Sequence, residues 1–286
     1  MTSVRSSVGV RATQNDPLVV RHLDKDLIIE FGSLNNEPGT YANLSRRLRV
    51  ERLLRPPTLG ETISVMHAVF IGDPNLGNPE FDGLRELLIR NRTGLWCYTG
   101  VLFKKNDGAY IQDHPDIVNG VPYMYPKYLE ERVKDGELKF VPHEVKEGAL
   151  YPEEITKNLF IQALVGQEGA KKLAELAAVR EFESKSLAIS TGYPVVSLLK
   201  HIGLTRDENT RPSYGATTIV PCLGFDYGPT KGEPFYETRV TDPLKPWSPD
   251  KKVVKNENWG TDNHLVILGL TGTEDKGVTC AFGIQE

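Results

Sequence analysis

The stretch TLGETISVMHAVFIGDPNLGNPEFDGLRELLIRNRTGLWCYTGVLFKKNDGAYIQ, residues 58–112, sets the fold class. It opens with Thr58 and, three residues later, Glu61. A hydroxyl and a carboxylate at that spacing can satisfy backbone N–H groups that the first turn of a helix leaves unpaired. Leu59, Ile63, Met66 and Phe70 then recur on one face at helical spacing, and Gly72-Asp73-Pro74 ends the element. Asn78 as cap and Pro79 at the first helical position start a second helix. Its stripe is Phe81, Leu84 and Leu88, Glu86 can pair with Arg90, and Gly94 closes it. The period then changes from helix to strand. Leu95–Phe103 alternates, Asn106-Asp107-Gly108 is a tight-turn signal, and Ala109–Gln112 returns as a second strand.

Working outward, Leu18–Leu23 and Leu27–Phe31 are β-rich runs around Asp24-Lys25-Asp26, which predicts a hairpin. Tyr41–Arg55 predicts a helix that Pro56-Pro57 stops, because the residue before a proline avoids the helical region. Tyr125–Lys134 predicts a short helix, Leu138–Val141 an extended segment, and Pro152–Val179 two helices split by Gly166. From about Leu187 onward Gly, Pro, Thr and Tyr replace the helical pattern. Thr217–Phe225 and Phe235–Val240 read as strands, and His264–Leu270 with Val278–Ile284 as a terminal hairpin. The expected fold is α+β, with helices packed on an antiparallel sheet and a β-rich C-terminal third. The expected organisation is a flexible tail over 1–16, a mixed region over 17–190 and a β-rich region over 191–286. The last two can equally form one continuous domain, 17–286.

Of 286 residues, 39% are hydrophobic and 25% charged, enough apolar material for a folded core rather than a disordered chain. A net charge of −4 argues against a general nucleic-acid binder, though not against a local basic patch. Cys97, Cys222 and Cys280 are three, widely spaced and without a CxxC pair, which fits reduced thiols and a cytoplasmic location. No apolar run reaches the length of a membrane span. Residues 1–15 contain two Arg, several Ser and Thr and no acid before Asp16, a composition faintly like a transit peptide and read here as a tail.

No phosphate-loop, zinc-finger or metalloprotease pattern is present, so function rests on constellations. Asp113-His114-Pro115-Asp116 follows a strand, where two carboxylates and an imidazole could share a proton or bind a divalent metal through His114 and Asp116. Its plainer role is a turn in which an aspartate caps the next segment. Asp262 and His264 open an apolar strand. Together with Asp113, His114 and Asp116 they make the expected catalytic set of a hydrolase-type enzyme, with residues 242–262 as a lid. A thiol mechanism through Cys97, His264 and Asp262 has weaker support, because strand alternation buries Cys97. His22, His67 and His143 have no evident partners and read as surface or hydrogen-bonded histidines.

A different class is a nucleic-acid- or partner-binding module. Arg46, Arg47, Arg49, Arg52 and Arg55 fall within ten residues, opposed only by Glu51. The stretch 242–262 interleaves Trp247 and Trp259 with Lys245, Lys251, Lys252 and Lys255, a mix able to stack bases and follow a phosphate backbone. A third class, a protein that only contacts partners, draws on the cluster Tyr123, Tyr125 and Tyr128.

Overall fold

The computed structural model describes residues 18–31, 38–72, 78–89, 93–104, 108–142, 148–179, 187–190, 218–227, 263–270, 272 and 278–286. They form an α+β fold. Strand β1 (Leu18–His22) turns through Leu23-Asp24 into β2 (Lys25–Phe31), with His22 opposite Lys25. Leu23 takes the left-handed backbone conformation that so short a hairpin demands (φ +52°). Helix α1 (Tyr41–Arg46) follows, capped by Thr40, whose hydroxyl accepts from the Asn43 N–H. It runs into a π-helical turn over Arg47–Glu51. The helix expected to reach Arg55 therefore stops early. The N–H groups of Arg52 and Leu54 both return to the Leu48 carbonyl, Leu53 is left-handed (φ +56°), and Arg55 pairs in extended form with Ile284.

Helix α2 (Leu59–Ile71) starts at the capping box expected for it, with Thr58 accepting from the Glu61 N–H and Glu61 accepting from the Thr58 N–H. Every residue from Leu59 to Met66 is buried, so this helix sits inside the fold rather than on its surface. It packs against β1, against α3 (Pro79–Ile89) and against α6 (Leu159–Ala177). Asn78 caps α3 by accepting from the Glu80 N–H, and Leu84, Leu87 and Leu88 are its buried face. Helix α4 (Leu129–Lys134) follows a 3-10 turn over Pro126–Tyr128, and α5 (Pro152–Ile155) precedes α6. Gly166 breaks α6 into two arms, as expected, by adopting φ +75°.

The remaining strands are β3 (Gly94–Trp96), β4 (Thr99–Lys104), β5 (Gly108–Asp113), β6 (Asp116–Val118), β7 (Val121–Tyr123), β8 (Lys139–Pro142), β9 (Gly148–Leu150), β10 (Leu187–Ser190), β11 (Thr218–Tyr227), β12 (Asn263–Leu270), β13 (Val278–Thr279) and β14 (Phe282–Ile284). The main sheet has the order β8-β5-β4-β11-β12-β10-β9, with β3 lying on β11 and β13 on β3. Pairing is antiparallel except for β10 with β12 and β13 with β3. Strands from both sides of residue 190 thus share one sheet, with β11 and β12 lying between β4 and β10. The strand expected over Leu95–Phe103 is interrupted at Cys97-Tyr98, whose N–H groups are drawn off to the Pro221 and Pro57 carbonyls. The expected terminal hairpin does not form. β12 pairs with β11 and β10, while the last run divides at Cys280-Ala281 so that β13 joins β3 and β14 joins β2. Among the described residues no helix is long and apolar enough to cross a membrane.

The β14 strand is seated by close packing. A Cβ placed on Gly283 would lie 2.7 Å from Leu54 Cβ, 2.9 Å from its Cδ1 and 3.1 Å from Leu48 Cδ2. Gly283→Val is expected to lower stability by about 1–3 kcal/mol through overpacking. A urea titration reads this as a lower midpoint with an unchanged slope; an unmoved midpoint would mean that Leu48 and Leu54 yield without cost.

Candidate functional site

A helix buried over its first two turns should be apolar there, and α2 is not: Glu61, Thr62 and Ser64 are buried on it. Buried polar groups persist when they are paired, so the partners of these three define the polar interior of the fold. Thr62 is satisfied locally, its hydroxyl donating to the Thr58 carbonyl at 2.8 Å. Glu61 and Ser64, one turn apart, each anchor a cluster.

Glu61 receives a two-pronged contact from Arg55, with Nη1 2.9 Å from Oε2 and Nη2 2.6 Å from Oε1. Burial pushes the Glu61 carboxyl up, but donation from Arg55 and from Thr58 outweighs it and holds the group below the ordinary carboxylate range. Arg55 Nη1 also donates to His114 Nε2 at 3.0 Å. A nitrogen that accepts from a guanidinium carries no proton, so the His114 proton sits on Nδ1, which is buried and has no hydrogen-bond partner among the described residues. Burial, with the Arg55 charge acting in the same direction, holds the His114 pKa below its usual value. His114 itself is left-handed (φ +52°), and its N–H donates to the Tyr98 carbonyl. Next to it, Asp113 accepts from the Thr99 hydroxyl at 2.8 Å and lies 3.7 Å from Lys139 Nζ. Thr99 in turn accepts from the Leu59 N–H at 3.1 Å. The group therefore ties the start of α2 to the β4–β5 edge and, through Arg55, to β14.

The second cluster faces a cleft. Ser64 Oγ lies 2.9 Å from His22 Nδ1 and 3.1 Å from Lys172 Nζ, which also donates to the Arg21 carbonyl at 2.9 Å. His22 ends β1, Ser64 is mid-α2 and Lys172 is on the second arm of α6, so the β1–α2–α6 packing itself assembles the three. Because the ammonium donates to Oγ, the hydroxyl hydrogen is free to point at His22 Nδ1. Burial lowers the pKa of His22, against the pull of the Glu61 charge, and burial also lowers that of Lys172. Ser64 and Lys172 line a cleft of about 740 Å³ whose other walls combine Leu18, Val19, Leu23 and Phe81 with the charged Arg21, Asp24 and Glu168. Val19 and Leu23 are each 53% exposed there.

The sequence-based candidates divide. Asp113 and His114 come together with Arg55 and Glu61, while Asp116 is exposed on β6 and pairs across to Tyr123. The backbone of His264 lies in β12 opposite Asp226; its side chain, Asp262 and the stretch 242–262 with Trp247, Lys251, Lys252 and Trp259 lie outside the described residues. Among the described residues no three His, Cys, Asp or Glu side chains are grouped to hold a metal ion. Cys97 is fully buried, and burial pushes its thiol up to about 12, which leaves no thiolate near neutrality. Of the arginines, Arg47 is 3.9 Å from Glu51 and Arg55 is held by Glu61, while Arg46, Arg49 and Arg52 are exposed. Sequence reasoning missed His22, Ser64 and Lys172. The available signal was a serine two positions before Met66, among the apolar residues Ile63, Val65 and Met66 of α2. Compared with protein-family models, curated proteins and solved structures, the chain matches none.

Two depressed imidazoles make a pH prediction. In the unfolded chain both titrate near 6.5; in the fold His22 and His114 bind protons less readily. As pH falls through 6.5 the unfolded chain takes up more protons than the folded one, so stability is full above that point and declines below it. Denaturation midpoints measured from pH 7.5 to 5 should fall, and the double variant His22→Asn/His114→Asn should show a shallower slope over that range. Parallel slopes would assign the acid sensitivity to other groups.

Proposed function

We propose that the protein is a serine-dependent hydrolase with Ser64 as its nucleophile, acting on carboxylic esters that carry an apolar group. The observation that supports this is Ser64 Oγ within hydrogen-bonding distance of both His22 and Lys172, on the wall of a cleft that sets aliphatic and aromatic side chains beside charged ones. A serine hydroxyl is a weak nucleophile until an adjacent base takes its proton. His22 suits that role because its lowered pKa keeps the imidazole neutral at physiological pH. Lys172, pinned by the Arg21 carbonyl, fixes the serine rotamer so that the hydroxyl hydrogen faces Nδ1.

In the first half-reaction the Ser64 proton passes to His22 Nδ1 as Oγ bonds to the ester carbon. The negative charge moves to the former carbonyl oxygen, where the nearby Lys172 ammonium favours it. The carbon–oxygen bond to the leaving alcohol then breaks, and the proton on His22 goes to that alcohol. Water repeats the sequence on the acyl-serine, releasing the acid and restoring Ser64. Asp113 and His114 do not touch this cleft; they hold the start of the helix that carries Ser64. Leu18, Val19, Leu23 and Phe81 supply the apolar surface for the acyl or alcohol part.

The direct test is labelling of the full chain by a fluorophosphonate, located by peptide mass, together with hydrolysis of p-nitrophenyl esters from acetate to octanoate. Labelling is expected at Ser64. Ser64→Ala should lower kcat/KM by about 10³-fold or more, and His22→Asn by about 10²–10⁴-fold. Hydrolysis or labelling that survives Ser64→Ala, or a wild-type protein inert to the whole ester series, would sink the proposal.

A further inference from the structure

The π-helical turn at Arg47–Glu51 and the residues around it form a second surface feature, and it does not depend on the cleft. Val50 is 70% exposed and Leu53 is 84% exposed. Arg46 and Arg49 are exposed in the same eight-residue stretch, residues 46–53. The lone acid there, Glu51, lies 3.9 Å from Arg47, leaving the exposed face basic in a chain of net charge −4. Leu53 is the telling residue. It adopts φ +56°, a conformation that suits glycine or asparagine and strains a leucine, yet its side chain projects into solvent instead of filling the core. The left-handed turn that ends the helix thus holds an aliphatic side chain out in solvent, where it contributes nothing to the packing of the core.

We propose that this segment docks the protein on an anionic lipid surface, with Arg46 and Arg49 on headgroup phosphates and Val50 and Leu53 between the chains below them. Exposed aliphatics among arginines match a headgroup–acyl boundary, where charge attraction and apolar burial act together. Residues 42–55 contain no aromatic side chain on which a base could stack, which disfavours a single-stranded nucleic acid. Leu53 sits beside Leu54, which packs on Gly283, so the apolar tip stands on a fixed base.

The test is sedimentation of the full-length protein with vesicles of phosphatidylcholine alone or with one third phosphatidylglycerol, at low and physiological salt. Binding is expected on the anionic vesicles only and should weaken with salt. Arg46→Gln and Arg49→Gln should each reduce the partition constant about five-fold, the effect of one charge near such a surface. Val50→Ser/Leu53→Asn keeps every charge and relieves the strained backbone, so the fold survives, and it should still weaken vesicle binding several-fold. Equal binding to neutral vesicles, no binding to anionic ones, or undiminished binding by Val50→Ser/Leu53→Asn would overturn the proposal. So would binding of a single-stranded oligonucleotide with no binding of vesicles.

Discussion

The structure depends on the ion pair between Arg55 and Glu61. Glu61 is buried on a helix that is itself buried, and an unpaired carboxylate there would be costly to desolvate. Arg55 resolves this at both oxygens, and the same side chain reaches His114 while its backbone pairs with Ile284. One residue thereby fixes the start of α2, the loop after β5 and the strand β14. Its extended conformation also explains why the preceding helix must end early: a helical Arg55 could not make the Ile284 bridge.

Placing α2 inside the fold has a chemical result. Polar side chains on its faces are removed from bulk water and must find partners in the protein; Thr62 finds one a turn away, while Ser64 meets His22 from β1 and Lys172 from α6. The low polarity that makes such pairs necessary also holds His22 neutral and draws Lys172 toward its neutral form. The Glu61 and Ser64 clusters, a turn apart on one helix, thus divide the work: one fixes the helix and the other faces the cleft.

Local chemistry was legible in the sequence wherever it was self-contained. The capping box of Thr58 and Glu61, the Asn78 cap and the Gly166 break each involve residues within a turn of one another, and each is present as expected. What depended on distant partners was not legible. The run from Val278 to Ile284 looks like half of a hairpin, but its two ends are claimed by β3 and β2, more than 180 residues away in the chain. The Asn119-Gly120 hairpin between β6 and β7, both residues at positive φ, is by contrast a local feature whose signal lies in the two turn residues themselves. The candidate site follows the same division. Asp113 and His114 are sequence neighbours and were found together, whereas His22, Ser64 and Lys172 are brought together by tertiary packing alone.

The seating of β14 on β2 also has a consequence during synthesis. The sheet of β1 and β2 receives its third strand from residues 282–284, so until these are made the β2 edge lacks its native partner. A two-stranded ribbon is marginally stable in water, and an open edge is a template for pairing with other chains. For the whole time that the intervening 250 or so residues are being made, about half a minute at ordinary elongation rates, that edge waits for its native partner. Newly made chains would then be most open to capture by a holding chaperone, and most prone to pair with one another, in the interval before the last strand arrives.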